Sequence, residues 1–331
     1  MPGMHLAFTL HNVLIRWNLS AFALCSIAVL IAIAVWYLGA EWRLALRGRR
    51  WPVARTLSFL AGLLVAALAV SSSVAVLAMS YFQAHVVQHL MLMVVAPPLL
   101  ALGAPSTLLL QTASRTTKER WLSVLRSQPF RALTHPVVVW FFYFGVMFVF
   151  FLTPLINVAM HHMALMDALN VGFLFGGTLY WWPMVGVDPI VHWKMSYGMR
   201  LLNLLIGSAV EAFLGVAILA AAHPAATMYT LSSTHSGGAL LWVSTEVSTL
   251  GGFIPIFIQW IRAEERLGAR ADLSAEKRAA QLSPVSASAL STRRPENTRQ
   301  GAGTGAWEAA WIAKFGRLPG GTVDVPGPPS P

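Results

Sequence analysis

His85, His89 and Met93 recur at four-residue intervals inside the apolar stretch Phe82 to Pro105, FQAHVVQHLMLMVVAPPLLALGAP. On a helix that spacing stacks the three side chains along one face, with Gln88 beside them. Imidazole is the commonest protein metal ligand and is mostly neutral at pH 7. Joined by a soft thioether it suits copper, Cu(I) above all, over magnesium or calcium. The plain alternative is helix packing, since an HxxxH spacing arises by chance in many helices. A polar stripe in so apolar a stretch is nonetheless costly, at roughly 2.5–3.5 kcal/mol for a charged group at mid-membrane on insertion scales.

Other residues extend the candidate site. His161 and His162 stand as a pair, and Asp167 follows about one and a half turns later, at a depth similar to that of His89. Glu246 is placed about two turns below the outer end of the last apolar segment, and Glu211 near the middle of the one before it. Carboxylates inside membrane segments are functional candidates by default. A protonated carboxyl hydrogen-bonded to a neighbouring helix is the structural alternative for each. The candidate metal set is therefore His85, His89, Met93, His161, His162, Asp167 and Glu246.

The elements that must position these groups are membrane helices. The chain has 331 residues, 56% of them hydrophobic and 11% charged, against about 25% charged in soluble domains. Seven long apolar segments can be read, at about 18–39, 57–79, 84–110, 136–156, 163–187, 200–222 and 239–261. Each reaches the roughly 20 residues needed to cross the hydrocarbon layer. A formal charge of +10 would suggest nucleic acid as a partner for a soluble protein, but here the placement of the charge matters more. Arg43, Arg47, Arg49, Arg50 and Arg55 lie between the first two segments, and Arg115, Lys118, Arg120, Arg126 and Arg131 between the third and fourth. Lys194 and Arg200 follow the fifth, ten more basic residues follow the seventh, and the alternate connections carry none.

Cytoplasmic loops hold Lys and Arg in excess, so the expectation is an all-α integral membrane protein of seven transmembrane helices, N-terminus outside and C-terminus cytoplasmic. Residues 1–17 then form a short extracytoplasmic segment and 18–261 the seven-helix domain. Residues 262–331, rich in Ala, Ser, Gly, Pro and charge, read as a mostly disordered cytoplasmic tail with an interfacial helix at 306–318. On this topology His5, His11, His85, His89, His161, His162, His223 and His235 lie on or just inside the outer face, leaving His135 and His192 inside. Cys25 is the sole cysteine, which excludes an intrachain disulfide or a thiolate metal clamp. The N-terminus does not read as a removable signal peptide.

Two blocks carry a family resemblance. His85 to Pro105, HVVQHLMLMVVAPPLLALGAP, closely resembles the signature of the multi-spanning CtaG family, assembly factors for caa3-type cytochrome c oxidase. Gly176 to Pro189, GGTLYWWPMVGVDP, resembles that family's aromatic-proline turn after the fifth span, and Thr134 to Pro136 matches the start of its fourth. The resemblance covers about 20–262 and implies a non-enzymatic role in the bacterial cell membrane, maturing a haem-copper oxidase at the copper-insertion stage. Cytochrome c oxidase subunits, membrane lipid and a copper donor protein are the implied partners, and copper the implied metal. One departure stands out: residues 167–172 read DALNVG, where the family pattern leads one to expect further histidines. Alternatives to weigh are a copper permease using Glu211 and Glu246, an intramembrane metal-dependent hydrolase, and a bis-histidine haem protein.

Overall fold

A computed structural model describes residues 16–188, 193 and 195–290, with side chains described as far as residue 279. The described residues are overwhelmingly helical and contain no strand. The chain divides into two units, residues 1–265 and 266–331.

In the first unit α1 (Ala21–Leu46) is followed by α2 (Val53–Ser71) and the short α3 (Ser73–Leu77). A broken span comes next: α4 (Phe82–Leu90), a π-helical turn (Met91–Val95), α5 (Ala96–Leu102) and α6 (Pro105–Thr112). Two short helices, α7 (Arg115–Arg126) and α8 (Gln128–Leu133), connect to α9 (Pro136–Leu152) and α10 (Leu155–His161). The remainder comprises α11 (Met163–Val185), α12 (Tyr197–Leu219) and α13 (Leu231–Leu290).

Six of these helical stretches are long and apolar enough to cross a membrane. The expected fourth span, 136–156, falls instead on α9 and α10, which meet at a 76° bend; counting that pair as one span gives seven. The bend falls at Thr153–Pro154, where the backbone turns extended after α9. Proline cannot donate its nitrogen into a continuing helix. Large apolar side chains such as Phe141, Leu205 and Phe213, each more than 60% exposed, cover the outside of the bundle. Surfaces of that kind suit lipid rather than water.

The broken span follows from its prolines. Pro97 and Pro98 have no N–H for the carbonyls one turn back, at Met93 and Val94. The helix widens just before them, and the Ala96 N–H reaches the Met91 carbonyl, five residues back. Ala104 then adopts a left-handed conformation, φ 48°, and Pro105 opens α6. α11 lies so close to the π turn that a Cβ on Gly177 would stand 2.8 Å from the Met93 carbonyl oxygen. Glycine there permits the approach, because any side chain would collide with backbone.

α1, α2 and the broken span are tied at a second packing centre. Tyr37 stacks on Phe59 at 4.1 Å, donates its hydroxyl to the Gly103 carbonyl at 2.7 Å and accepts from Trp51 Nε1 at 2.9 Å. Arg47 donates to the Gln111 and Thr112 carbonyls and so closes the end of α6.

α13 runs beyond residue 262, through a stretch whose composition points to disorder. The physical reason is the run AEERLGARADLSAEKRAAQL, in which Ala, Glu, Arg, Lys and Leu are strong helix formers. The region expected as an interfacial helix, 306–318, and the outer histidines His5 and His11 lie outside the described residues.

Candidate functional site

α4 carries His85 and His89 one turn apart, and both are buried, at 1% and 2% exposure. Their rings stand 4.6 Å apart between centroids. The N-terminal end of α4 is pinned to α13, because Ser233 Oγ accepts from the Phe82 N–H at 2.8 Å and donates to Gln83 Oε1. On its other side Gln88 Nε2 donates to the Ala69 carbonyl of α2 at 2.9 Å. The helix is thus held in register on two faces.

The hydrogen bonds around His85 determine its tautomer. The Tyr229 hydroxyl donates to the Ala78 carbonyl at 2.7 Å and meets His85 Nδ1 at 2.9 Å. A carbonyl only accepts and a phenol has one proton, so His85 Nδ1 is the donor to Tyr229. Nε2 then carries a bare lone pair, and that atom is enclosed with no partner among the described residues. Tyr229 lies in the connection before α13, where burial pushes its phenol above the usual range. It therefore stays protonated and keeps both bonds.

His89 is more isolated still. Phe173, Phe150 and Phe151 surround its ring at centroid distances of 4.2, 4.9 and 5.2 Å. Neither ring nitrogen has a hydrogen-bond partner among the described residues. A buried polar atom left this way costs about 1–3 kcal/mol, and such groups in native proteins call for a ligand, ion or water. Three ring nitrogens on two neighbouring imidazoles are in that condition.

Beside the pair lies a cavity of about 330 Å³, lined by His85, Gln88, Asp167 and Asn170 together with Met79, Met163 and Met166. The structure therefore brings Asp167 to the same cavity as His85. Asn170, 6% exposed with its Oδ1 unpartnered, is a polar group that the sequence reading passed over inside DALNVG. Met163, 54% exposed, stands at the accessible side.

The other candidates are placed elsewhere. Met93 is buried in the apolar core, and the π turn that precedes the prolines takes it out of the regular α-helical register of His85 and His89. His161 and His162 are exposed at the α10–α11 junction, and His161 Nδ1 is bonded to the Asn157 carbonyl at 2.7 Å. Glu246 is exposed on α13. No cluster of three or more His, Cys, Asp or Glu suited to a metal ion occurs among the described residues. Two imidazoles fall short of the four ligands of a closed structural zinc site.

Asp188 is a residue the sequence reading did not single out. It is 4% exposed and accepts from the Ser106 N–H at 3.2 Å, from the Thr107 N–H at 2.8 Å and from the Thr107 hydroxyl. α6 begins after Ala104, which has no side-chain acceptor, so Asp188 serves as its N-cap from 82 residues away. Burial pushes the Asp188 carboxyl up, against the pull of these donors and of the Arg55 charge. The two sequence blocks, 85–105 and 176–189, are thereby joined immediately after the first ends.

The family model described as cytochrome c oxidase caa3 assembly factor (Caa3_CtaG) matches residues 35–263. The chain belongs to this family. The matched region contains His85, His89, Asp188 and Tyr229 and extends to the start of the second unit. Curated relatives include uncharacterised proteins of Mycobacterium leprae (strain TN), 26% identical over 75% of this chain, and of Mycobacterium bovis and Mycobacterium tuberculosis, each 26% identical over 74%. The chain spans 40% of the length of those relatives. No solved structure matches. Membership of Caa3_CtaG places the chain in an oxidase-assembly family, and its long apolar helices suit a multi-pass membrane protein.

Proposed function

We propose that this chain assists the maturation of a haem-copper cytochrome c oxidase by holding copper transiently between His85 and His89, near the outer membrane face. The carrying observation is the buried imidazole pair with three unpartnered ring nitrogens. Copper is the cargo rather than a resident cofactor. His85 Nε2, with its lone pair left bare by the Tyr229 bond to Nδ1, is one donor, and His89 is the other. The adjoining cavity, with Met79, Met163 and Met166 on its walls, offers soft sulfur along the approach. Asp167 and Asn170 complete the polar lining.

The protein acts without catalysis of its own, receiving copper from a donor protein outside the membrane and passing it to an oxidase subunit. The broken α9–α10 pair is the fourth of seven spans, residues 18–261 form the membrane domain, and residues 262–331 lie in the cytoplasm. The segregation of Lys and Arg supports this orientation.

The test is copper content and oxidase activity in cells grown at limiting copper. His85→Ala and His89→Ala are expected to reach normal membrane levels, bind less copper and leave the oxidase synthesised but short of copper. Added copper is expected to restore it partly by mass action. Full oxidase activity in both variants at limiting copper would return the pair to helix packing. Orientation is tested separately with Ala222→Cys and Ser114→Cys, the first labelled from outside and the second from the cytoplasm. Labelling of both from one side would sink the topology.

A further inference from the structure

Residues of α7, α8 and α11, none of them shared with the cavity beside the histidine pair, line a second cavity of about 210 Å³. Its walls are mainly apolar, among them Leu125, Phe130, Phe175, Leu179 and Trp182. It exceeds the roughly 150 Å³ apolar cavity known to hold benzene. The threonine hydroxyls on its wall are already committed, Thr134 to the Phe130 carbonyl at 2.8 Å and Thr178 to the Leu174 carbonyl at 2.7 Å. Trp121 also lines the cavity, and its indole N–H is enclosed without an acceptor among the described residues.

The helix that contributes Trp121 is strongly basic. α7 carries Arg115, Lys118, Arg120 and Arg126 against a single acid, Glu119, and Arg115 pairs with that acid at 2.8 Å. Lys118 is half-buried one turn before Trp121, on the face that also presents Leu122 and Leu125. No ion pair involving Lys118 occurs among the described residues. A lysine in that position lays its stem on apolar surface and holds its ammonium at the interface.

We propose that this cavity is a binding site for an anionic phospholipid. One acyl chain fills the apolar space, an ester carbonyl accepts from Trp121 Nε1, and the phosphate pairs with Lys118. The combination selects this ligand class. A neutral apolar molecule would leave the Lys118 charge unanswered, and a soluble phosphate compound would leave the cavity empty. The site is separate from the histidine pair, so it stands whether or not that pair carries copper.

The experiment uses the full chain in nanodiscs of mixed phosphatidylglycerol and phosphatidylcholine, followed by native mass spectrometry of the lipid retained after release into detergent. Phosphatidylglycerol is expected to remain bound in excess over phosphatidylcholine. Lys118→Gln is expected to lower that preference about fivefold, the effect of one lysine near a charged surface, while a lipid chain still binds. Trp121→Phe keeps the ring bulk and removes the donor, so retention of both lipids falls. Thr178→Phe fills the cavity and, with an unchanged helical circular dichroism spectrum, abolishes retention of either. Equal retention of the two lipids by the unaltered protein would overturn the proposal. So would an unchanged preference in Lys118→Gln, undiminished retention in a folded Thr178→Phe, or a neutral isoprenoid bound in place of phospholipid. Lys118 is not part of the cavity wall, so its variant keeps the test decisive even where the filled cavity fails to fold.

Discussion

Asp188 and His89 are both buried polar residues, one in each of the two sequence blocks, and they have opposite surroundings. Asp188 accepts from two backbone N–H groups and a hydroxyl, so its burial is answered by local donors. His89 is enclosed by three phenylalanine rings and a second imidazole, and neither nitrogen is answered. A satisfied buried group holds a fold together. An unsatisfied one lowers stability, and it persists where something outside the chain supplies the missing partner. On the proposed function, the distinction separates structural from functional polarity within one membrane bundle.

The largest effect expected from that distinction is in copper binding. His89→Leu replaces two unpaired nitrogens by an aliphatic group in an aromatic cage, so thermal stability should hold or rise. Copper affinity should fall by more than the roughly 10–100-fold that loss of an outer-shell partner causes. Measuring melting temperature and copper retention on the same preparation checks both halves. A destabilised variant with intact copper binding would reverse the roles assigned to the two residues.

Tyr229→Phe is next. It removes the oxygen that accepts from His85 Nδ1 and the hydroxyl that donates to Ala78. The bare lone pair at Nε2 is no longer enforced, and copper affinity should drop about 10–100-fold, with about 1 kcal/mol of stability lost. Copper competition with a chelator reads the first quantity, and denaturant titration the second. An unchanged affinity would mean that the tautomer does not matter to the site.

Asp188→Ala should do the converse. The first turn of α6 loses its long-range cap, leaving the Ser106 and Thr107 N–H groups without an acceptor, at a cost of about 2–4 kcal/mol. Membrane levels should fall while the copper bound per surviving molecule stays the same. Reduced copper stoichiometry at normal abundance would show that the two blocks are functionally coupled.

How far the sequence reveals all this depends on the range of the interaction concerned. The helices are legible because apolar run length is a local property, and the break that begins at Met91 is foreshadowed by Pro97-Pro98 and Gly103-Ala104-Pro105. The pairing of His85 with His89 is legible because helical spacing alone makes them neighbours. Met93 extends that stripe only while the helix stays regular, and the π turn ahead of the prolines ends the regularity. Tyr229 lies 144 residues from His85 and the cage phenylalanines lie on α9 and α11, so no periodicity announces them. Asn170 was visible as a polar residue inside a span, but its neighbours were not. Asp188 lies within Gly176–Pro189, and its role depends on a helix start without a side-chain cap 82 residues away.

The smallest effect is expected at Glu211, which tests the permease alternative. Its carboxyl is 8% exposed, receives the Tyr143 hydroxyl at 3.4 Å, and lines a cavity of about 10 Å³ with Ser208 and Ser248. That volume accommodates about one water, and Tyr143 stacks at 4.3 Å on Tyr180, which is itself bonded to Asn203 at 2.8 Å. An ion crossing past Glu211 would have to part these rings and would need the carboxylate charge on the way. Glu211→Gln keeps the acceptor for Tyr143 and removes that charge. If Glu211 is structural, as Asp188 is, the variant should lose no more than about 1 kcal/mol and should leave oxidase activity at limiting copper unchanged. Cellular copper uptake, measured in a strain without the oxidase, should also stay level. A fall in that uptake would mean that copper passes through the bundle, and Glu211 would then belong with His89 on the functional side of the comparison.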